Sequence, residues 1–240
     1  MWNSKEPYPH PISDGTLNTV HELALVLNGY DSAGSGPVTT KDFVDFASTW
    51  VKRVGFQKGD SVFEVGCGAG NFLQAIHNVA DSIQLAGSDL SLNLIETGRD
   101  FFPHLDLRVA KGATSLDGTE EFNHLVSFGV FHYFDSLDYA KLVIEGMKTA
   151  ALNSVSILDV PDLSTKDSDI QHRRSQYLDG EYELKYKDLP HLYYSRNWMT
   201  DLFPTSDWSV CIENQSISNY SNADFRFNVF AVRTDPFFNS

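Results

Sequence analysis

Three glycines at alternate positions, Gly66, Gly68 and Gly70, follow the run Ser61-Val-Phe-Glu-Val65 and precede a helical pattern that starts at Asn71. A glycine loop between a strand and a helix lets backbone approach a ligand closely, because no Cβ intervenes. The start of the helix adds free N–H groups and a field that favours an anion such as a carboxylate. A dinucleotide site asks for G-x-G-x-x-G, which would put its third glycine at Asn71. Here the spacing is G-x-G-x-G with Glu64 ahead, and no Gly-Lys-Ser/Thr follows. The loop therefore reads as neither a dinucleotide fingerprint nor a P-loop. Asp89, closing the next apolar run, is a carboxylate able to accept from two neighbouring hydroxyls at once. Eight histidines are present without an H-E-x-x-H or H-x-E metal spacing, and Cys67 and Cys211 form no C-x-x-C pair.

These residues need a scaffold, and the periodicity supplies one. Apolar positions from Thr16 to Leu27 recur at helical spacing, after a polar arm of about a dozen residues. Residues 28–37 are rich in turn formers, and Thr40 is a candidate N-cap for a second helix with Phe43, Ala47, Trp50 and Val54 on one face. Short strands at 61–65, 83–89, 105–110, 124–128 and 155–160 then alternate with helices at 71–79, 92–101 and 137–150. Asn153 and Ser154 read as the approach to the fifth strand. Strands alternating with helices imply βαβ units and a mostly parallel sheet covered on both faces. The rhythm breaks from Asp162 to His191, a polar stretch of the length expected for a lid or a partly disordered segment. A short helix near 197–203 and two closing strands, 208–213 and 225–232, complete an antiparallel pair.

The segment FEVGCGAGN resembles motif I of the class I S-adenosylmethionine-dependent methyltransferases, E/D-x-G-x-G-x-G. Asp89 in LAGSDLS matches that family's ribose-gripping acid, and FNHLVSFGVFHYF resembles its strand-four segment. The resemblance implies a Rossmann-like α/β fold, a seven-stranded mostly parallel sheet with helices on both faces. It divides the chain into an N-terminal arm and capping helix at 1–39, a cofactor-binding core at 40–161, an inserted lid at 162–200 and closing strands at 201–240. It implies S-adenosylmethionine held by Glu64, Gly66, Cys67, Gly68, Gly70, Asp89, Leu90 and Phe128, with no metal. The acid that this family often places after strand three is absent, since Lys111-Gly112-Ala113-Thr114 stands there.

Methyl transfer from a sulfonium is an in-line displacement that needs alignment and, for some acceptors, removal of a proton. The preferred bases are His132 and His191, because imidazole titrates near neutrality. The resemblance puts the acceptor above strands four and five, near Tyr133, Asp162, Arg173, Tyr193 and Tyr194, with Asp159 also at the end of strand five. Arg173 and Arg174 invite an anion such as a carboxylate or phosphate, although a solvated charge pair is the preferred reading. The expectation is O-methylation of a small molecule in specialised, glycan or natural-product biosynthesis, with N- or C-methylation as the nearer alternative. From other classes, an NAD(P)-dependent oxidoreductase would share the sheet, and a non-catalytic binding module would share the fold.

A net charge of −14, from 18 basic and 32 acidic residues, argues against nucleic acid as a partner. No apolar run reaches the length of a membrane span, and the polar N-terminus lacks the apolar core of a signal peptide. The cytoplasm is therefore the expected location, with the chain a monomer or a homodimer.

Overall fold

The computed structural model describes residues 20–30, 38–80, 83–116, 121–187 and 190–234. The expected N-terminal arm, the start of the first helix and most of the loop at 28–37 lie outside them. Among the described residues one seven-stranded sheet runs in the order β3-β2-β1-β4-β5-β7-β6. Its strands are β1 (Ser61–Val65), β2 (Gln84–Asp89), β3 (Asp106–Val109), β4 (Phe122–Phe128), β5 (Ala151–Pro161), β6 (Trp208–Asn214) and β7 (Arg226–Arg233). The first five pair in parallel, whereas β7 pairs antiparallel with both β5 and β6. This is the Rossmann-like fold the sequence implies, with the chain reversing at the centre where β1 meets β4.

Strand residues alternate between two buried faces, as parallel strands covered on both sides must. Val62, Leu85, Leu107, Val126 and Leu158 face α1 (Val20–Leu27), α2 (Thr40–Arg53), α3 (Asn71–His77) and α4 (Leu92–Phe101). Phe63, Val65, Leu125, Val155 and Ile157 face α5 (Leu137–Ala150) and α8 (Arg196–Asp201). Burial of a large apolar side chain contributes roughly 1.5–3 kcal/mol, so this two-sided patterning sets the register.

Two local expectations are corrected. Thr39, not Thr40, caps α2: its hydroxyl accepts from Asp42 N at 3.3 Å, while its own N–H donates to Asp42 Oδ2 at 2.8 Å. The reciprocal pair satisfies two N–H groups, which a cap one residue later would not. Second, β5 starts at Ala151, directly after α5, rather than near Val155. Ser154 is fully buried and its hydroxyl lies 2.8 Å from His124 Nδ1, with Asp60 Oδ2 2.9 Å from Nε2. That buried chain of partners lets polar residues continue a strand that composition alone would end.

The described part of the polar stretch, residues 162–187, holds two helices. It carries α6 (Lys166–Arg174) and α7 (Glu181–Tyr186) before the chain returns beside Asp162, which bridges to Tyr194. Its polar sequence hid α6 because that helix buries only Asp169 and Arg173.

Candidate functional site

A cavity of about 690 Å³ opens at the carboxyl ends of β1, β2, β4 and β5. Its volume lies in the range of small-molecule sites, and its place is the switch point where ligands bind in open α/β sheets. The glycine loop forms one wall. Gly66 N and Cys67 N both donate to Ser88 O, at 2.7 and 2.9 Å, which hooks the loop onto the end of β2. Gly66 has φ of 79°, and a Cβ there would stand 2.4 Å from Val130 Cγ2. Gly70 has φ of 86° and its Cβ would meet Leu105 Cδ1 at 2.9 Å. Gly66 thus permits the turn beside the cavity, while Gly70 is off the cavity wall and serves the packing of α3. Asn28, just after α1, reaches over the loop and accepts from Ala69 N at 3.1 Å.

Glu64, Cys67, Asp89, Leu90 and Phe128 line the same cavity, together with Gly66 and Gly68. Glu64 is 2% exposed, and its Oε2 has no hydrogen-bond partner in the protein. Burial, and then the charge of Asp89, pushes its carboxyl well above the usual range. Asp89 Oδ2 accepts from Gly68 N at 2.9 Å and Oδ1 from Ser91 N at 2.8 Å. Each carboxylate oxygen keeps a lone pair after one backbone bond, so hydroxyl donors remain acceptable to it. Phe128 stacks on Phe72, with centroids 5.0 Å apart, and meets Tyr30 at 6.2 Å.

The opposite end is built by the segment after β4 and by Arg173, Tyr186 and His191. His132 and His191 stand with ring centroids 4.7 Å apart, and Leu192 N donates to His132 O at 3.0 Å. His132 is buried and its Nδ1 has no hydrogen-bond partner. Desolvation foremost, then His191, Arg226 and Arg173, hold this imidazole well below its ordinary pKa. It is therefore neutral at physiological pH. Tyr133 and Arg173 also line the cavity.

Three residues expected at the acceptor lie off this wall. Asp162 caps the turn after β5, accepting from Ser164 N, and pairs with Arg196 at 2.7 Å. Tyr193 donates its hydroxyl to Asp169 at 2.6 Å, and Tyr194 donates to Phe131 O at 2.8 Å. Each spends its polar group on holding the lid and α8 to the sheet.

The sequence reading missed Tyr30, Asn28, Tyr220 and Arg226, all on the cavity wall. It placed Asp159 at a strand end without giving it partners. Asp159 adopts φ of 61°, rare for a residue with a Cβ, and accepts from Gln215 Nε2 at 3.1 Å and the Tyr220 hydroxyl at 3.0 Å. Strain held in this way clusters at functional sites. A charged Arg226 at the start of a mostly apolar closing strand was the available signal. Tyr30 and Asn28 carried none. Among the described residues no group of three or more His, Cys, Asp or Glu is arranged to hold a metal ion.

The fold, the glycine loop and the two acids define a class I, Rossmann-like methyltransferase architecture. Residues 62–149 match a family described as a methyltransferase domain. No curated protein matches the chain significantly. Among solved structures, it is similar to the plantazolicin methyltransferase BpumL in complex with a triazolic desmethylPZN analog and SAH. The identity is 14% and the TM-score 0.65, over 90% of this chain and 96% of that one. The magnesium protoporphyrin IX methyltransferase of Synechocystis PCC 6803, with bound SAH, is 14% identical with a TM-score of 0.59, over 88% and 99%. A putative methyltransferase in complex with the Haloferax volcanii Trm112 activator is 13% identical with a TM-score of 0.60, over 88% and 93%. At these identities the likeness is one of fold.

Proposed function

We propose that this chain methylates an oxygen of a small-molecule acceptor in a cytoplasmic biosynthetic reaction, with S-adenosylmethionine as donor. The observation that carries this reading is one cavity with the unpartnered Glu64 Oε2 and Asp89 at one end and the paired rings of His132 and His191 at the other. S-adenosylmethionine supplies an electrophilic methyl group on a sulfonium. The buried Glu64 carboxylate suits the donor's ammonium group, since a charge-assisted bond there would satisfy its free oxygen. Asp89 holds the ribose hydroxyls, Gly66, Cys67 and Gly68 bring backbone against the donor, and Leu90 and Phe128 contribute apolar surface. Gly70 takes part through the packing of the loop alone.

At the other end His132 and His191 orient the acceptor hydroxyl and take its proton as the oxygen attacks. A neutral imidazole is the form that can do so. Tyr133 and Arg173 contact the rest of the acceptor, and the lid at 162–200 excludes water. The likeness to a plantazolicin methyltransferase and a magnesium protoporphyrin IX methyltransferase supports a biosynthetic small molecule as acceptor. Among the described residues no helix is long and apolar enough to cross a membrane.

Incubation with S-adenosylmethionine and a panel of hydroxylated small molecules, followed by mass spectrometry, tests the reading. A gain of one methyl on a hydroxyl supports it. His132→Ala and His191→Ala are expected to slow that turnover and to leave cofactor affinity near normal. Wild-type rates in both variants would remove the histidines from the proton transfer.

A further inference from the structure

The acceptor end of the cavity holds guanidinium groups that the protein only partly pairs. Arg173 on α6 and Arg226 at the start of β7 are 6% and 3% exposed, and both line the cavity. Burying such a group is costly unless it is paired and hydrogen-bonded. One carboxylate, Asp169, serves both. Its Oδ1 accepts from Arg173 Nε at 3.3 Å, and its Oδ2 from Arg226 Nη1 at 3.0 Å and from the Tyr193 hydroxyl at 2.6 Å. Arg173 Nη2 donates to the Tyr193 hydroxyl at 2.7 Å, and Arg226 Nη1 also reaches Phe225 O at 3.2 Å.

Arg226 Nε has no hydrogen-bond partner. Asp159, another carboxylate whose charge acts on Arg226, spends its oxygens on Gln215 and Tyr220 and forms no ion pair with the guanidinium. Burial first, then His191, Arg226 and Arg173, hold down the pKa of the neighbouring His132.

We propose that Arg226 and Arg173 form an anion subsite that holds a carboxylate of the acceptor, so that the substrate is a carboxylic acid. The inference rests on the methyltransferase reading and names the substrate class of that same cavity. A carboxylate is planar and matches the forked donors of a guanidinium, and it would take up the buried Arg226 Nε that no protein group accepts from. Tyr186, whose ring centroid lies 5.1 Å from Arg173 Cζ, and Tyr133, 3.9 Å from the His132 ring, line the same cavity and offer aromatic surface for the body of the molecule. Arg174 does not contribute, since it turns outward to Glu183 at 2.8 Å with both side chains more than half exposed.

The test is calorimetry on the full chain saturated with S-adenosylhomocysteine. The probes are benzoate, 4-hydroxybenzoate, phenylacetate and hexanoate, each against its primary amide. At least one carboxylate is expected to bind about tenfold or more tighter than its amide. Arg173→Met and Arg226→Met should abolish that preference, and Arg174→Gln should keep it. Because Arg226 also neutralises Asp169, Arg226→Lys replaces Arg226→Met if the latter no longer binds S-adenosylhomocysteine. Equal affinity for acids and amides, or no carboxylate binding by protein that does bind S-adenosylhomocysteine, overturns the subsite and leaves the methyltransferase reading standing. Failure of the wild-type chain to bind S-adenosylhomocysteine overturns both.

Discussion

Glu64 is a buried carboxyl group whose cost to the fold the proposed binding role would explain. Its folded pKa is raised, so at neutral pH the folded state resists an ionisation that the unfolded chain makes freely near pH 4.3. The sign is therefore the reverse of a paired carboxylate: stability is lost as pH rises through the folded pKa, and is recovered as pH falls toward the unfolded value. Glu64→Gln, a neutral isostere, is expected to raise the melting temperature of the ligand-free protein at pH 7, with the gain shrinking toward pH 4. The same variant should bind S-adenosylhomocysteine more weakly. A lower melting temperature at pH 7 would contradict the assignment. In wild type, affinity for S-adenosylhomocysteine should strengthen as pH rises from the carboxylate range to neutrality, because the ammonium group favours the ionised acid. Affinity that stays flat across that range would speak against Glu64 as its partner. Gly66 makes a second residue-scale case. Gly66→Ala adds a Cβ 2.4 Å from Val130 Cγ2 at a positive φ, and a cost of about 1–3 kcal/mol is expected in chemical denaturation.

At the scale of elements, α6 is held to the sheet mainly by polar contacts, with Asp169 at the centre. Replacing Asp169 by Ala would leave Arg173 and Arg226 buried without their counterion, at a cost of about 3–5 kcal/mol. For a chain of this size that is roughly 6–20 °C in melting temperature. Hydrogen exchange should rise first in residues 166–174, and unchanged protection there would show that the lid is held by other contacts. This element also marks the limit of what the sequence could disclose. The βαβ elements were legible because two-sided burial writes short apolar runs into β1, β2 and β4, set between helical patterns. The cofactor end was legible because a glycine spacing and one acid sit within a single βαβ unit. The acceptor end was not. Arg226, Asp159, Tyr220 and Tyr30 come from distant elements, and contact between them depends on how α1, the lid and β7 pack. Asp162, Tyr193 and Tyr194 illustrate the converse: proximity to the site in sequence put them near it, but their hydrogen bonds turn them into the scaffold.

At the scale of the whole molecule, the antiparallel strand β7 lies between β5 and β6, so the last strands complete the sheet rather than decorate it. A chain ending at residue 200 would expose the edge of β5 and the apolar faces of Val155 and Ile157. It is expected to lose cooperative unfolding, as followed by circular dichroism; a sharp wild-type transition would show that the parallel strands stand alone. The central claim concerns the site this sheet supports, a donor held between Glu64 and Asp89. Isothermal calorimetry of S-adenosylhomocysteine with wild type and Asp89→Ala tests it most directly. Saturable one-to-one binding to wild type, weakened at least about tenfold, or about 1.4 kcal/mol, in the variant, is the predicted result. No binding to wild type, or equal binding to both, would contradict it.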